Sequence, residues 1–202
     1  MRRPVCHHVG RRLREVPPRA VRAAPVWLLA STPRRGFRRG HSVRHVPADG
    51  RDVTRHEAQD PEFERRVRGS FDRQRFMGTL GARLTRVEPG EVDIELAVRD
   101  ELSQQHGFLH AGALATVADS ACGYAALSLM PPGAAVLSVE FKINMLAPAK
   151  GDRVVAHGSV LRAGKTITVC RGDVVAHSAD GERLVATMVG TMMTVRDRGI
   201  AD

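Results

Sequence analysis

One segment dictates most of what this chain can become. Residues 111–130, Ala-Gly-Ala-Leu-Ala-Thr-Val-Ala-Asp-Ser-Ala-Cys-Gly-Tyr-Ala-Ala-Leu-Ser-Leu-Met, are apolar on every side, and Pro131-Pro132-Gly133 stops them. A helix without a polar face has to be surrounded. A membrane span is the competing reading. Asp119 at its centre would cost about 3 kcal/mol there, and Ala and Gly drive insertion weakly, so the segment is read as a buried helix of a soluble domain.

The flanking sequence supplies a wrapping for that helix. Val92, Ile94, Leu96 and Val98 alternate with Glu91, Asp93, Glu95 and Arg99, a period of two that marks a half-buried strand. Leu80, Ala82, Leu84 and Val87 alternate roughly, and Glu88-Pro89-Gly90 joins the two as a turn. Four more strands are predicted over about 135–146, 153–162, 166–177 and 183–195. Residues 148–152, 163–165 and 178–181 separate them and carry turn chemistry. A helix is predicted over 61–76, with Asp60 as cap, Pro61 at its first position and Phe63, Val67, Phe71 and Phe76 as its apolar stripe. The expected fold class is α+β, one antiparallel sheet wrapped around one long buried helix.

The domain is expected over 60–196, between a leader at 1–59 and a short tail at 197–202. The charge is divided accordingly. Residues 1–52 hold 13 arginines, no lysine and three acidic residues, net +10, whereas residues 53–202 hold 18 basic and 19 acidic residues, net −1. A nucleic-acid footprint would lie on the folded part, and none is legible there. The leader admits three readings: a disordered tail, an Arg-rich organelle transit peptide, or a stretch that is not translated, with Val53 or Met77 nearer the start. Cys6, Cys122 and Cys170 form no C-x-x-C pair. Cys122 and Cys170 read as buried thiols of a reducing, cytoplasmic compartment.

From Leu102 to Val139 the single formally charged side chain is Asp119. A lone carboxylate in a buried helix is costly unless it is satisfied by hydrogen bonds or used in chemistry. Just ahead of it, Gln104-Gln105-His106-Gly107-Phe108-Leu109-His110-Ala111-Gly112 runs into the helix start. There, free N–H groups and the helix dipole favour negative charge, such as the oxyanion of a thioester under attack. Asp119 lies nine residues beyond His110, about 13 Å along the axis, a long reach unless a second chain takes part.

These residues carry a resemblance. Gly107-x-x-His110-Ala111-Gly112 followed by Asp119 resembles the signature of hotdog-fold acyl-CoA thioesterases of the phenylacetate-pathway (PaaI-like) type. Leu137 to Asn144, Pro148-Ala149, Gly151-Asp152 and Gly164-Lys165-Thr166 continue the likeness over roughly residues 75–195. It implies Asp119 as catalytic carboxylate, Ala111 as the backbone N–H that polarises the carbonyl, and Gln104 as the amide that places water or substrate. It implies Ser138 as an assisting hydroxyl contributed by the partner subunit, and Gly107, His110 and Gly112 as the substrate loop. His110 and His106 also read as plain structural histidines. The resemblance further implies an acyl-CoA substrate and a homodimer or homotetramer with sites at the subunit interface.

Lys150, Arg162 and Lys165, at predicted turns, are candidates for coenzyme A phosphates, and equally for solvated surface charges. No cofactor is implied, and no histidine, cysteine and carboxylate grouping has metal-ligand spacing, His157 and His177 being isolated. The alternative function is a module that senses acyl-CoA without cleaving it. Asp119 argues against that, since a sensor gains nothing from a carboxylate beside the thioester. Whether Asp119 would attack directly or activate water stays open.

Overall fold

The computed structural model describes residues 56–196, 199, 200 and 202. The leader readings for residues 1–55 lie outside them. α1 (Phe63–Arg73) and α2 (Arg75–Leu80) lead into β1 (Arg83–Glu88) and β2 (Glu91–Ala97). After a short 3-10 turn come the central helix α3 (Ala111–Leu127) and strands β3 (Ala135–Met145), β4 (Arg153–Ala163), β5 (Ile167–Ser178) and β6 (Gly181–Val195). All strand pairs are antiparallel, in the order β1-β2-β4-β5-β6-β3. The sheet packs on α3, and this is the hotdog architecture.

The helix is as enclosed as its composition demands. From Val117 through Leu127 every residue except Asp119 is buried. Its small side chains let the sheet come close, and two strand glycines complete the contact. A Cβ on Gly158 of β4 would lie 2.3 Å from backbone atoms of Ala121, and one on Gly172 of β5 would lie 2.9 Å from Cys122 Sγ. Val92, Ile94, Leu96, Val154, Val174, Met188 and Met192 fill the rest of that inner face and are inaccessible to solvent. Cys122 and Cys170 are both buried and free. Burial raises both thiols, Cys170 to about 12.

Two local expectations need correcting. The first helix begins at Phe63, not Pro61, although Asp60 Oδ1 still accepts the Glu62 N–H at 2.9 Å. It also breaks at Gln74, whose extended ψ of 92° restarts the chain as α2. The break rotates the apolar face, so Met77 and Leu80 are inside and Phe76 is 56% exposed. Gly81, at φ 69°, then ends α2, and the first strand starts at Arg83 rather than Leu80. The uneven spacing of Leu84 and Val87 is a β-bulge between Leu84 and Arg86, the extra residue restoring both side chains to one face.

The C-terminal end of α3 is closed by a residue from α1. Arg66 donates to the carbonyls of Leu127 (3.0 Å), Met130 (2.7 Å) and Pro131 (2.6 Å), and its Nε lies 3.3 Å from Asp60 Oδ2. One of these carbonyls ends α3 and two follow it, and the cation they share suits the negative end of the helix dipole. The domain's contacts reach back to Gln59, which donates to Leu129 O at 2.8 Å, and to His56, whose ring bonds Val160 O at 3.0 Å.

Candidate active site

Asp119 is half-buried on α3 and faces β3, the edge strand. Ser138 Oγ donates to Asp119 Oδ1 at 2.7 Å. The expectation that Ser138 reaches Asp119 from a second chain is corrected. Antiparallel pairing of Ser138 with Met192 of β6 lays β3 along α3 of its own chain. Desolvation raises the Asp119 carboxyl above its ordinary value, and the Ser138 hydrogen bond only partly offsets this. The result is a carboxylate with enhanced proton affinity beside open space. That space is a pocket of about 330 Å³ bounded also by Ser70, Gln74 and Tyr124.

The loop ahead of α3 forms a second, separate pocket. Gly107 takes φ 74° in a tight turn closed by its N–H to Gln104 O at 2.9 Å, and Ser103 pairs with Leu109 across the turn. His110 is the N-cap of α3, accepting the Gly112 N–H on Nδ1 at 2.9 Å. Gly112 suits that cap, because a Cβ there would crowd Nδ1 at 3.0 Å. The N–H groups of Ala113 and Leu114 go to His110 O. Among the described residues the Ala111 N–H has no acceptor, so it is the donor left over at the positive end of the helix. Ala111 lines a largely apolar pocket of about 400 Å³, together with Gln104, Phe108, Leu114, Met145 and Pro148. The Gln104 side-chain oxygen accepts the His106 N–H.

Within one chain, then, Asp119 and Ser138 come together, and Gln104 and Ala111 come together. The two pairs do not meet: Ala111 and Asp119 are eight residues apart on one helix, roughly 12 Å. Nor do the three candidate cations gather. Lys150, 4.7 Å over the Phe108 ring, lies before β4, while Arg162 and Lys165 lie at its other end, on the order of 30 Å away at strand rise. Lys150 is the one beside the Gln104 loop.

The sequence reading missed Ser70, Tyr124 and Asp202. Ser70 Oγ donates to Asp202 Oδ1 at 2.6 Å inside the Asp119 pocket. A hydroxyl beside Phe71 on the buried face of α1, and the chain's one tyrosine within the apolar helix, were the available signals. No helix among the described residues is long and apolar enough to cross a membrane, and no group of three metal-binding side chains is found among them.

Comparison with known proteins agrees with this architecture. A model of the thioesterase superfamily matches residues 106–181, the span from the loop before α3 to the β5–β6 turn. A thioesterase family protein from Silicibacter pomeroyi, whose crystal structure is solved, is 48% identical. It covers 66% of this chain and 98% of its own, with a TM-score of 0.65. Human acyl-coenzyme A thioesterase 13 is 35% identical over 95 residues, which are 46% of this chain and 66% of that protein. The Escherichia coli PaaI protein of the phenylacetic acid degradation operon shares the fold, with a TM-score of 0.60 at 22% identity over 66% of this chain and 94% of its own.

Proposed function

This chain belongs to the thioesterase superfamily and is a thioester hydrolase; on that premise we propose that its substrate is an acyl-coenzyme A and that Asp119 is the carboxylate that cleaves it. The observation that carries the reading is the Ser138–Asp119 pair at 2.7 Å on the wall of an open pocket. Ser138 holds Oδ1, which leaves Oδ2 for the water or the carbonyl carbon. Desolvation raises the basicity of the carboxylate, which suits a general base or a nucleophile at near-neutral pH. The free Ala111 N–H, at the positive end of α3, suits the oxyanion that forms when the thioester is attacked.

Those two groups cannot serve one carbonyl within a chain, so the site is shared. Asp119 and Ser138 of one protomer work with Ala111 and Gln104 of a second. The edge strand β3 supports this arrangement. Its Leu137, Val139 and Phe141 are each more than 40% exposed, an apolar edge that pairing with a second copy would cover. On this reading Lys150, over Phe108 of the Gln104 loop, comes with Gln104 from the second protomer and meets a coenzyme A phosphate. The motif residues Gly107, His110 and Gly112 keep the phenylacetate-pathway type as the preferred subgroup.

The test is free-thiol release from a panel of acyl-CoAs by the purified protein, with ligand binding read in parallel. Release that disappears in Asp119→Asn is expected. Acyl-CoA binding with no release from any member would replace this reading with the sensor.

A further inference from the structure

The Asp119 pocket already holds a carboxylate, that of Asp202. Its Oδ1 accepts from Ser70 Oγ at 2.6 Å, its Oδ2 accepts from the Val136 N–H at 3.2 Å, and an Arg73 guanidinium nitrogen stands 4.0 Å from Oδ1. The three groups come from two elements, Ser70 and Arg73 from α1 and the Val136 N–H from β3, and converge on the two oxygens of one planar group. Each is turned to the task by its position. A serine inside a helix ordinarily bonds back to a carbonyl one turn earlier, but Ser70, only 8% exposed, gives its proton into the pocket instead. Val136 lies on the edge strand, where alternate N–H groups lack a strand partner. Arg73, from the last turn of α1, adds an exposed positive charge beside the pocket. Tyr124, buried on α3, borders the same space.

This cradle and Asp119 line one pocket. Tyr124 is five residues beyond Asp119 on α3, roughly 7.5 Å along the axis. That is the length of a short acyl chain whose thioester carbon sits at Asp119. An ordinary fatty acyl group reaching that end offers Ser70 and the Val136 N–H no acceptor. We propose that the Asp119 pocket ends in a carboxylate-binding cradle of Ser70, Arg73 and the Val136 N–H, that it selects short acyl groups with a terminal carboxylate, and that Asp202 holds the cradle when no such substrate is bound. The proposal rests on the reading of Asp119 as the hydrolytic carboxylate. It adds the substrate class and a residue of the chain that competes with it.

The experiment compares glutaryl-CoA with pentanoyl-CoA, which have the same carbon count and differ in the terminal carboxylate, by free-thiol release from the full chain. The ratio of their kcat/KM values is the readout. Asp202→Ala is expected to raise that ratio by about tenfold, the worth of one charge-assisted hydrogen bond. Adding Ser70→Ala or Arg73→Gln to Asp202→Ala should lower it again. If Asp202→Ala does not fold, Asp202→Asn, which keeps the shape and loses the charge, should move the ratio in the same direction. A ratio unmoved by any of these changes, or a preference for pentanoyl-CoA once Asp202 is replaced, overturns the cradle. Glutarate and pentanoate, which have no thioester, separate this from the proposed chemistry. Glutarate alone should raise the melting temperature of Asp202→Ala. That stabilisation without hydrolysis of any acyl-CoA would leave the cradle standing and remove the hydrolase reading; hydrolysis without it would do the reverse.

Discussion

The two ends of α3 are built on opposite principles. At its C-terminal end Arg66 takes the carbonyls of Leu127, Met130 and Pro131, and Asp60 answers the charge of Arg66 in turn. Ser128 closes the same region, donating to Ala125 O and accepting the Gly90 N–H, both at 2.7 Å. At the N-terminal end, and one face further along at Asp119, polar groups are held in place but not used up. Ala111 keeps an unspent N–H, and Asp119 keeps an oxygen and a raised proton affinity. The closed end shows what the chain does with polar groups that serve stability. The open groups are therefore where chemistry is to be sought.

The comparison is broken most severely at Asp119. Asp119→Asn is nearly isosteric and removes the charge and the proton acceptor, so turnover should fall by about 10²–10⁴-fold. Stability should move the other way. Burial raises the folded-state value above the ordinary 3.8, so between the two values the folded chain binds more protons than the unfolded chain. Stability then falls as pH rises through that window, and at pH 7 the ionised carboxylate is a cost. The Asn variant should melt at or above the parent temperature at pH 7, measured on the same preparation as the rate. A large loss of melting temperature with turnover per folded molecule preserved would make Asp119 structural.

The closed end predicts the inverse pattern. Arg66→Met leaves Asp60 buried without its partner and takes a donor from three carbonyls, which should cost about 3–5 kcal/mol in chemical denaturation. Turnover per folded molecule should survive. Gly158→Ala pushes a Cβ against the backbone of Ala121, and overpacking of that kind costs about 1–3 kcal/mol. An unchanged denaturation midpoint would show that the helix can retreat from the sheet. The smallest effect is a displacement along the pH axis. Ser138 favours the ionised form of Asp119, so Ser138→Ala should move the acid limb of kcat/KM to higher pH. A limb that stays in place would detach Ser138 from the titrating group.

How far the sequence revealed this follows from which forces are local. The strands were legible because period-two alternation, as in Glu91–Ala97, reports burial directly. α3 was legible because a helix without a polar face has only one environment. Asp119 stood out as the one charge in a long uncharged stretch. The kink at Gln74 was not legible, since nothing in Arg73-Gln74-Arg75 forbids a continuous helix and the break is imposed by packing of Met77 and Leu80. Arg66 carries no sequence signal of its role, because its carbonyl partners lie about sixty residues away in sequence. Asp202 meets Ser70 over a still longer separation. Gly158 and Gly172 carry no local signal either, and only the closeness of α3 explains them.

The central claim is that one helix serves two sites, its start completing the site of the second protomer while its middle completes its own. Ala111→Pro tests it cleanly. Proline at the first helical position removes an N–H and little else, and His110, at φ −63° and ψ 138°, already has the conformation a following proline requires. Each of Ala111→Pro and Asp119→Asn should be nearly inactive alone, the first losing about 10²–10³-fold for its oxyanion donor. Mixed in equal amounts under conditions that exchange subunits, they should regain about a quarter of parental turnover, because about half of the dimers pair one of each and carry one undamaged site. Activity in the exchanged mixture no greater than the mean of the two variants would contradict the shared site.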